Sequence, residues 1–206
     1  MRIRDAGDLE RGARALIRLD PRLEPVLAQV GDLPLRLRPD GFPALLSAIV
    51  SQQLSTASAA AIWGRLTAAG LTDAVALRGA DDQVLRATGL SRPKIRYARA
   101  LAQADLNFAA LRTLPTQAVV AELTQLPGIG RWTAEIYATF SLGHADAFAA
   151  GDLALQEATR LALALPARPG EAALRTIAAD WAPWRAVAAR ALWAYYRLHK
   201  GREGVT

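Results

Sequence analysis

The chain has no cysteine, and that one absence removes disulfides, thiolate zinc sites and cysteine-ligated iron–sulfur clusters together. Histidine is nearly as scarce. His144 and His199 are the only two, too few and too scattered for a histidine-based metal centre. Lysine is confined to Lys94 and Lys200, although lysine and arginine together number 25. No apolar run reaches membrane-spanning length, and the opening MRIRDAGDLERG lacks the apolar core of a signal peptide. Runs of alternating apolar and polar residues are missing too, so strands are not expected.

What remains is a hydrophobic, basic and helical chain. Hydrophobic residues make up 52% of its 206, enough for a substantial core and too many for a disordered chain. The formal charge of +6 favours polyanionic partners, though basicity alone is weak evidence for nucleic-acid binding. A cytoplasmic protein, nucleoid-associated in a bacterium, is the expectation, with no membrane partner and a monomeric state.

Apolar spacing and capping residues predict a series of helices. The first spans about 8–17, and a short one about Glu24–Gln29. Pro43 suits a first helical turn, and Ser55 an N-cap whose helix ends at Gly70. Shorter helices fit 72–78 and 81–87, and Ser91 opens another. Thr116 reads as the cap of a helix running into Pro127-Gly128-Ile129-Gly130, with Trp132–Leu142 helical beyond it. Asp152 caps the next helix, and two more fit 170–181 and 184–199. The predicted fold is all-α. It has two lobes, one of about 1–37 with 115–206 and the other of about 38–114.

The segment LPGIGRWTAEIYATFSLGHADAFAAGD, residues 126–152, carries the chemistry. Gly128 and Gly130 are expected to supply the positive φ of a tight interhelical turn and to let bare amides approach a phosphate. Arg131 and Thr133 can add side-chain contacts. Taken alone, Gly-x-Gly reads first as a plain helix–helix turn, and an isolated Asp152 first as a plain N-cap. Asp146 is the nearest rival carboxylate and reads as a loop residue.

Leu126-Pro127-Gly128-Ile129-Gly130-Arg131-Trp132-Thr133-Ala134 resembles the helix–hairpin–helix of the DNA glycosylase superfamily that carries a Gly-Pro-Asp element after it. Asp146-Ala147-Phe148-Ala149-Ala150-Gly151-Asp152 resembles the loop leading to that family's aspartate, with Ala150 and Gly151 standing where a proline is often found. Trp181-Ala182-Pro183-Trp184-Arg185 with Trp193 is similar to the C-terminal helices of the 3-methyladenine DNA glycosylase II branch. Ser51-Gln52-Gln53-Leu54-Ser55 and Gly89-Leu90-Ser91, with Lys94 and Tyr97, fall where that branch has similar segments. The resemblance covers about residues 40–200. The stretch before it is expected to be too short for the extra N-terminal β-rich domain of some relatives.

The resemblance implies a helix–hairpin–helix unit flanking an active-site cleft, acting on duplex DNA with alkylated bases. Asp152 would be the catalytic carboxylate, stabilising an oxocarbenium-like sugar and orienting water. Gly128, Ile129, Gly130, Arg131 and Thr133 would hold the strand. Trp132 and Trp193, with Tyr137 as a third candidate, would frame a cationic base by cation–π attraction. Branches that also cut the backbone carry a lysine just after the hairpin. Trp132 stands at that place, so hydrolysis without lyase chemistry is expected.

Gln53, then Leu54, is the candidate to fill the gap left by a flipped base, against the plain alternative of a solvent-facing turn. Carbonyls of Thr124, Leu126 and Gly128 offer a place for a structural Na+ or K+, and no other cofactor is expected. Trp63, Trp181 and Trp184 read as packing. A non-catalytic damage- or structure-binding module stays open beside the enzyme, as does excision of oxidised or mismatched bases. A neutral lesion would require a general acid, and none stands out.

Overall fold

The computed structural model of the chain describes residues 1–200. In chain order the α-helices are α1 (Ala6–Leu19), α2 (Glu24–Val30), α3 (Phe42–Ser51), α4 (Thr56–Ala68), α5 (Ala74–Gly79) and α6 (Asp82–Ala87). They continue as α7 (Arg92–Gln103), α8 (Phe108–Leu111), α9 (Thr116–Leu123), α10 (Arg131–Phe140), α11 (Leu153–Ala162), α12 (Glu171–Ile177) and α13 (Arg185–Lys200). Pro21–Leu23 and Ala178–Trp181 are 3-10 turns. Among the described residues the one extended pairing is a bridge between Arg2 and His144, so the all-α expectation holds.

Short polar side chains start these helices by satisfying first-turn amides. Asp5, Ser55, Asp73, Asp81, Asn107 and Asp152 each accept a backbone N–H from the following turn. Pro43 and Pro93 sit in the first turns of α3 and α7, where a missing N–H does no harm. Gly70 and Gly89 follow α4 and α6 with positive φ. Three sequence expectations change. Pro115, rather than Thr116, is the N-cap of α9. The predicted helix over 170–181 divides into α12 and a 3-10 turn. Helix α8 was not anticipated.

Among the described residues the chain divides into two compact units: Met1–Leu37 with 138–200, and Arg38–Tyr137. The division falls at 137/138 rather than 114/115, because the hairpin and the start of α10 go with α3–α9.

In the first unit α13 is the centre, with Ala186–Tyr195 buried on every side. Close approach is built in: a Cβ on Gly12 of α1 would lie 2.6 Å from Val187 Cγ2 and 2.7 Å from the Trp184 ring. Trp181 is wholly buried, and its indole N–H donates to Asp20 Oδ2 at 2.9 Å. In the second unit Leu45, Leu46, Ile49 and Val50 of α3 pack against α7, which contributes Ile95, Ala98 and Leu101 to the core. No helix among the described residues is long and apolar enough to cross a membrane.

Candidate active site and nucleic-acid interface

The hairpin lies in the second unit, between α9 and α10. It closes through the Leu126 N–H to Leu123 O and the Ile129 N–H to Leu126 O, both 3.1 Å. Gly128 has φ +87°, and a Cβ there would lie 2.3 Å from a carbon of the Tyr97 ring. Glycine is required twice over at that position. Gly130 is different. Its φ is outside the left-handed region, and a Cβ there would meet nothing within 4 Å. The expectation of positive φ at both glycines is therefore corrected: Gly128 makes the turn, and Gly130 leaves open space beside its backbone.

The helical ladder of α10 begins with the Ala134 N–H to Gly130 O at 3.0 Å. The amides of Arg131 and Thr133 precede it, at the positive end of the helix dipole. This is a geometry that accepts an anionic oxygen. Arg131 is exposed, and its Nε–H donates to Glu135 Oε1 at 3.0 Å. Ile129 and Thr133 bury their side chains, and the Ile129 amide is used within the turn. Ile129 thus anchors the hairpin, and position 133 offers main chain rather than hydroxyl. Trp132 is 40% exposed. Tyr137 is buried, its hydroxyl accepts the Gly41 N–H at 2.9 Å, and burial pushes its pKa up to about 12.

The turn between α3 and α4 joins this group. Gln53 and Leu54 are exposed at its tip, and Gln53 has φ +57°. Beside them the Gln52 side-chain amide donates to Gly128 O at 2.7 Å. Lys94 Nζ donates to Val50 O at 2.6 Å and to Gln52 O at 2.8 Å, and burial lowers its pKa from the usual lysine range. Gln52, Lys94 and Tyr97 were legible as family-like segments, but their contacts with one another's loops were not.

The carboxylate lies in the first unit. Asp152 is 5% exposed and caps α11, Oδ1 accepting the Leu155 N–H at 3.0 Å. The same oxygen accepts the indole N–H of Trp193 at 3.2 Å. Trp193 is 3% exposed and packs on Phe140 with ring centroids 5.5 Å apart. The guanidinium of Arg190 lies over the Phe140 ring, 4.9 Å from its centroid. Arg190 is itself buried and donates to the carbonyls of Ala186 and Thr139, and desolvation lowers its pKa to about 10. Phe140 and Arg190 carried no sequence signal, since their role depends on packing across α10 and α13.

The loop before Asp152 is fixed by its backbone. The Asp152 N–H bonds Ala149 O at 2.9 Å, and Gln156 Nε2 donates to Ala150 O at 3.0 Å. Asp146 is paired bidentately with Arg185, at 2.7 and 2.6 Å, which makes it a structural ion pair of this loop. Asp152 is thus a carboxyl group held in place by a helix start and an indole donor. A carboxylate so held can support positive charge on a neighbouring sugar or orient water.

Residues 46–183 match the HhH-GPD superfamily base excision DNA repair proteins. The chain is 30% identical to DNA-3-methyladenine glycosylase 1 of Schizosaccharomyces pombe over 76% of its own length and 73% of that protein's. It superposes on the crystal structure of a DNA-3-methyladenine glycosidase from Bacillus halodurans with a TM-score of 0.83 at 31% identity, covering 92% of this chain and 90% of that one. It also superposes on Schizosaccharomyces pombe 3-methyladenine DNA glycosylase (Mag1) in complex with abasic-DNA, with a TM-score of 0.74 at 27% identity, over 95% of this chain and 100% of that one. The hairpin and Asp152 both fall within the matched residues, and the chain belongs to the HhH-GPD superfamily of base excision DNA repair proteins.

Proposed function

We propose that this protein is a monofunctional DNA glycosylase, hydrolysing the N-glycosidic bond of alkylated bases such as 3-methyladenine and 7-methylguanine in duplex DNA. The observation that carries this reading is the Asp152 carboxylate, fixed by the Leu155 amide and the Trp193 indole. As the C1′–N bond lengthens, its electron pair leaves with the base, and the base's positive charge is neutralised. Positive charge passes to the sugar, where the carboxylate stabilises it. Water then adds to C1′ and gives up a proton, with Asp152 as the base that orients it. An abasic site and a free base result.

A cationic leaving base needs no general acid, which fits the alkylated class better than neutral lesions. The absence of lyase chemistry rests on the residue after the hairpin. Trp132 has no amine, and Lys94 Nζ is held by two carbonyls. Exposed Trp132 is the side chain offered to a flipped cationic base. Trp193 serves Asp152, and the Gln53–Leu54 tip fills the vacated stack. That a relative was solved with abasic-DNA, the product of base excision, supports DNA as the partner. A structural Na+ or K+ fits the hairpin carbonyls. Leu126 O and Gly128 O each accept one hydrogen bond, leaving a second lone pair apiece.

The test is release of free base from alkylated duplex DNA, with Asp152→Asn as control. Asn keeps the helix cap and the acceptor for Trp193, so the variant should bind DNA and release nothing. Equal release by both proteins removes Asp152 from the chemistry. Binding with no release by the wild type favours a non-catalytic module.

A further inference from the structure

We propose that Lys94 is a positioning residue that clamps the α3–α4 tip onto the hairpin, so that one rigid piece of the second unit both grips the strand and probes the base stack. This inference rests on the reading of Gln53–Leu54 as the inserted tip.

The clamp is a short chain of contacts. Lys94 reaches from α7 to Val50 O at 2.6 Å and Gln52 O at 2.8 Å, the carbonyls at the end of α3. A cation suits that end of a helix. Gln52, held by its own carbonyl, extends its amide to Gly128 O at 2.7 Å. One turn along α7 from Lys94, the Tyr97 ring lies where a Cβ on Gly128 would come within 2.3 Å. Helix α7 thus touches the tip loop through Lys94 and the hairpin through Tyr97, while Gln52 bridges the two loops directly.

The backbone of the tip shows what the clamp holds. Gln53 has φ +57°, a region that a non-glycine residue keeps only where its surroundings over-determine it. Its predecessor is held at both carbonyl and side chain. On the other side the Leu54 N–H bonds Ser51 O at 3.3 Å, and Ser55 caps α4. The choice of lysine is informative in a chain that uses arginine for nearly all its cations. A compact ammonium with rotatable donors serves two carbonyls two residues apart, whereas a planar guanidinium is shaped for a carboxylate or phosphate.

A plain helix cap predicts lost stability and equal loss on all substrates. A clamp predicts loss only where the tip must displace a paired base. Two duplexes separate these outcomes: one with a single alkylated base opposite its normal partner, the other with the same base opposite an abasic analogue. Lys94→Met should lower excision from the paired duplex about tenfold, the worth of one charge-assisted hydrogen bond. Excision from the unpaired duplex and the affinity for undamaged DNA should stay nearly unchanged. Gln52→Leu keeps Lys94 and cuts the bridge to Gly128, and it should give the same pattern if Lys94→Met folds poorly.

A tip variant carrying Gln53→Ala with Leu54→Ala should be defective on the paired duplex, and adding Lys94→Met should then cost nothing further. Equal losses on both duplexes, multiplicative losses in the combined variant, or no loss at all would overturn the clamp. A tip variant that matches the wild type on both duplexes overturns the insertion reading, and the clamp with it. A wild type that releases no base overturns the glycosylase reading itself.

Discussion

Trp193 and Asp152 are 41 residues apart in sequence and joined by one hydrogen bond, from indole Nε1–H to carboxylate Oδ1 at 3.2 Å. Trp193, one of the tryptophans expected to frame a base, is buried and hydrogen-bonded to that carboxylate. Trp193→Phe keeps the stack on Phe140 and deletes the donor. The expected result is a fall of about tenfold in kcat with DNA affinity unchanged, measured by single-turnover base release. An unaltered kcat would make the indole mere packing.

The two hairpin glycines should separate in experiment. Gly128→Ala meets the Tyr97 ring and an unfavourable φ, so it should destabilise the fold by about 2–4 kcal/mol in urea titrations. Gly130→Ala has open space and an ordinary φ. It should shift stability by no more than about 0.5 kcal/mol. A measurable loss of DNA affinity in that variant would show that the space belongs to the strand.

Phosphate gripping carries its own signature. Log K for duplex DNA should fall with log salt by about 0.9 per neutralised phosphate, and Arg131→Ala should reduce that slope by about one contact. An affinity flat between low and moderate salt contradicts the proposed grip.

His144 sets an acid limit on the first unit. Burial first, then repulsion from Arg2 and the amino terminus, lowers its pKa from 6.5 to about 4. Between those values the unfolded chain takes up a proton that the folded chain does not. The contribution is therefore complete above pH 6.5 and is lost as pH falls towards 4. The ceiling is about 3 kcal/mol, from 1.36 kcal/mol per pKa unit. Urea midpoints for the wild type should drop across this window, and His144→Gln should flatten the drop.

Much of this arrangement is written locally and so could be read from the sequence. Ser55, Asp152, Pro43, Gly70 and Gly89 act through their immediate neighbours, and each stands where the spacing placed it. Thr116 and Pro115 differ by one residue because both tolerate a helix start. Helix α8, Phe108–Leu111, is too short for periodicity to register and is marked only by the Asn107 cap. The site was half legible. Hairpin and carboxylate stand out as a linear pattern, but what each touches does not. Asp146 finds Arg185, Gln52 finds Gly128, and Trp193 finds Asp152 only when distant segments pack. The unit boundary at 137/138 has the same origin, since contacts with Gln52 and Tyr97 tie the hairpin to the second unit.

Helix α13 is sunk into its unit along Ala186–Tyr195, and α1 approaches it so closely that even a methyl at Gly12 would collide. On the same helix Trp193 is buried, stacked on Phe140 and bonded to Asp152. On the proposed reading, the dipole of its indole would be aimed before any duplex arrives, and a reacting sugar would meet a field already assembled, with no reorganisation left to perform as charge develops.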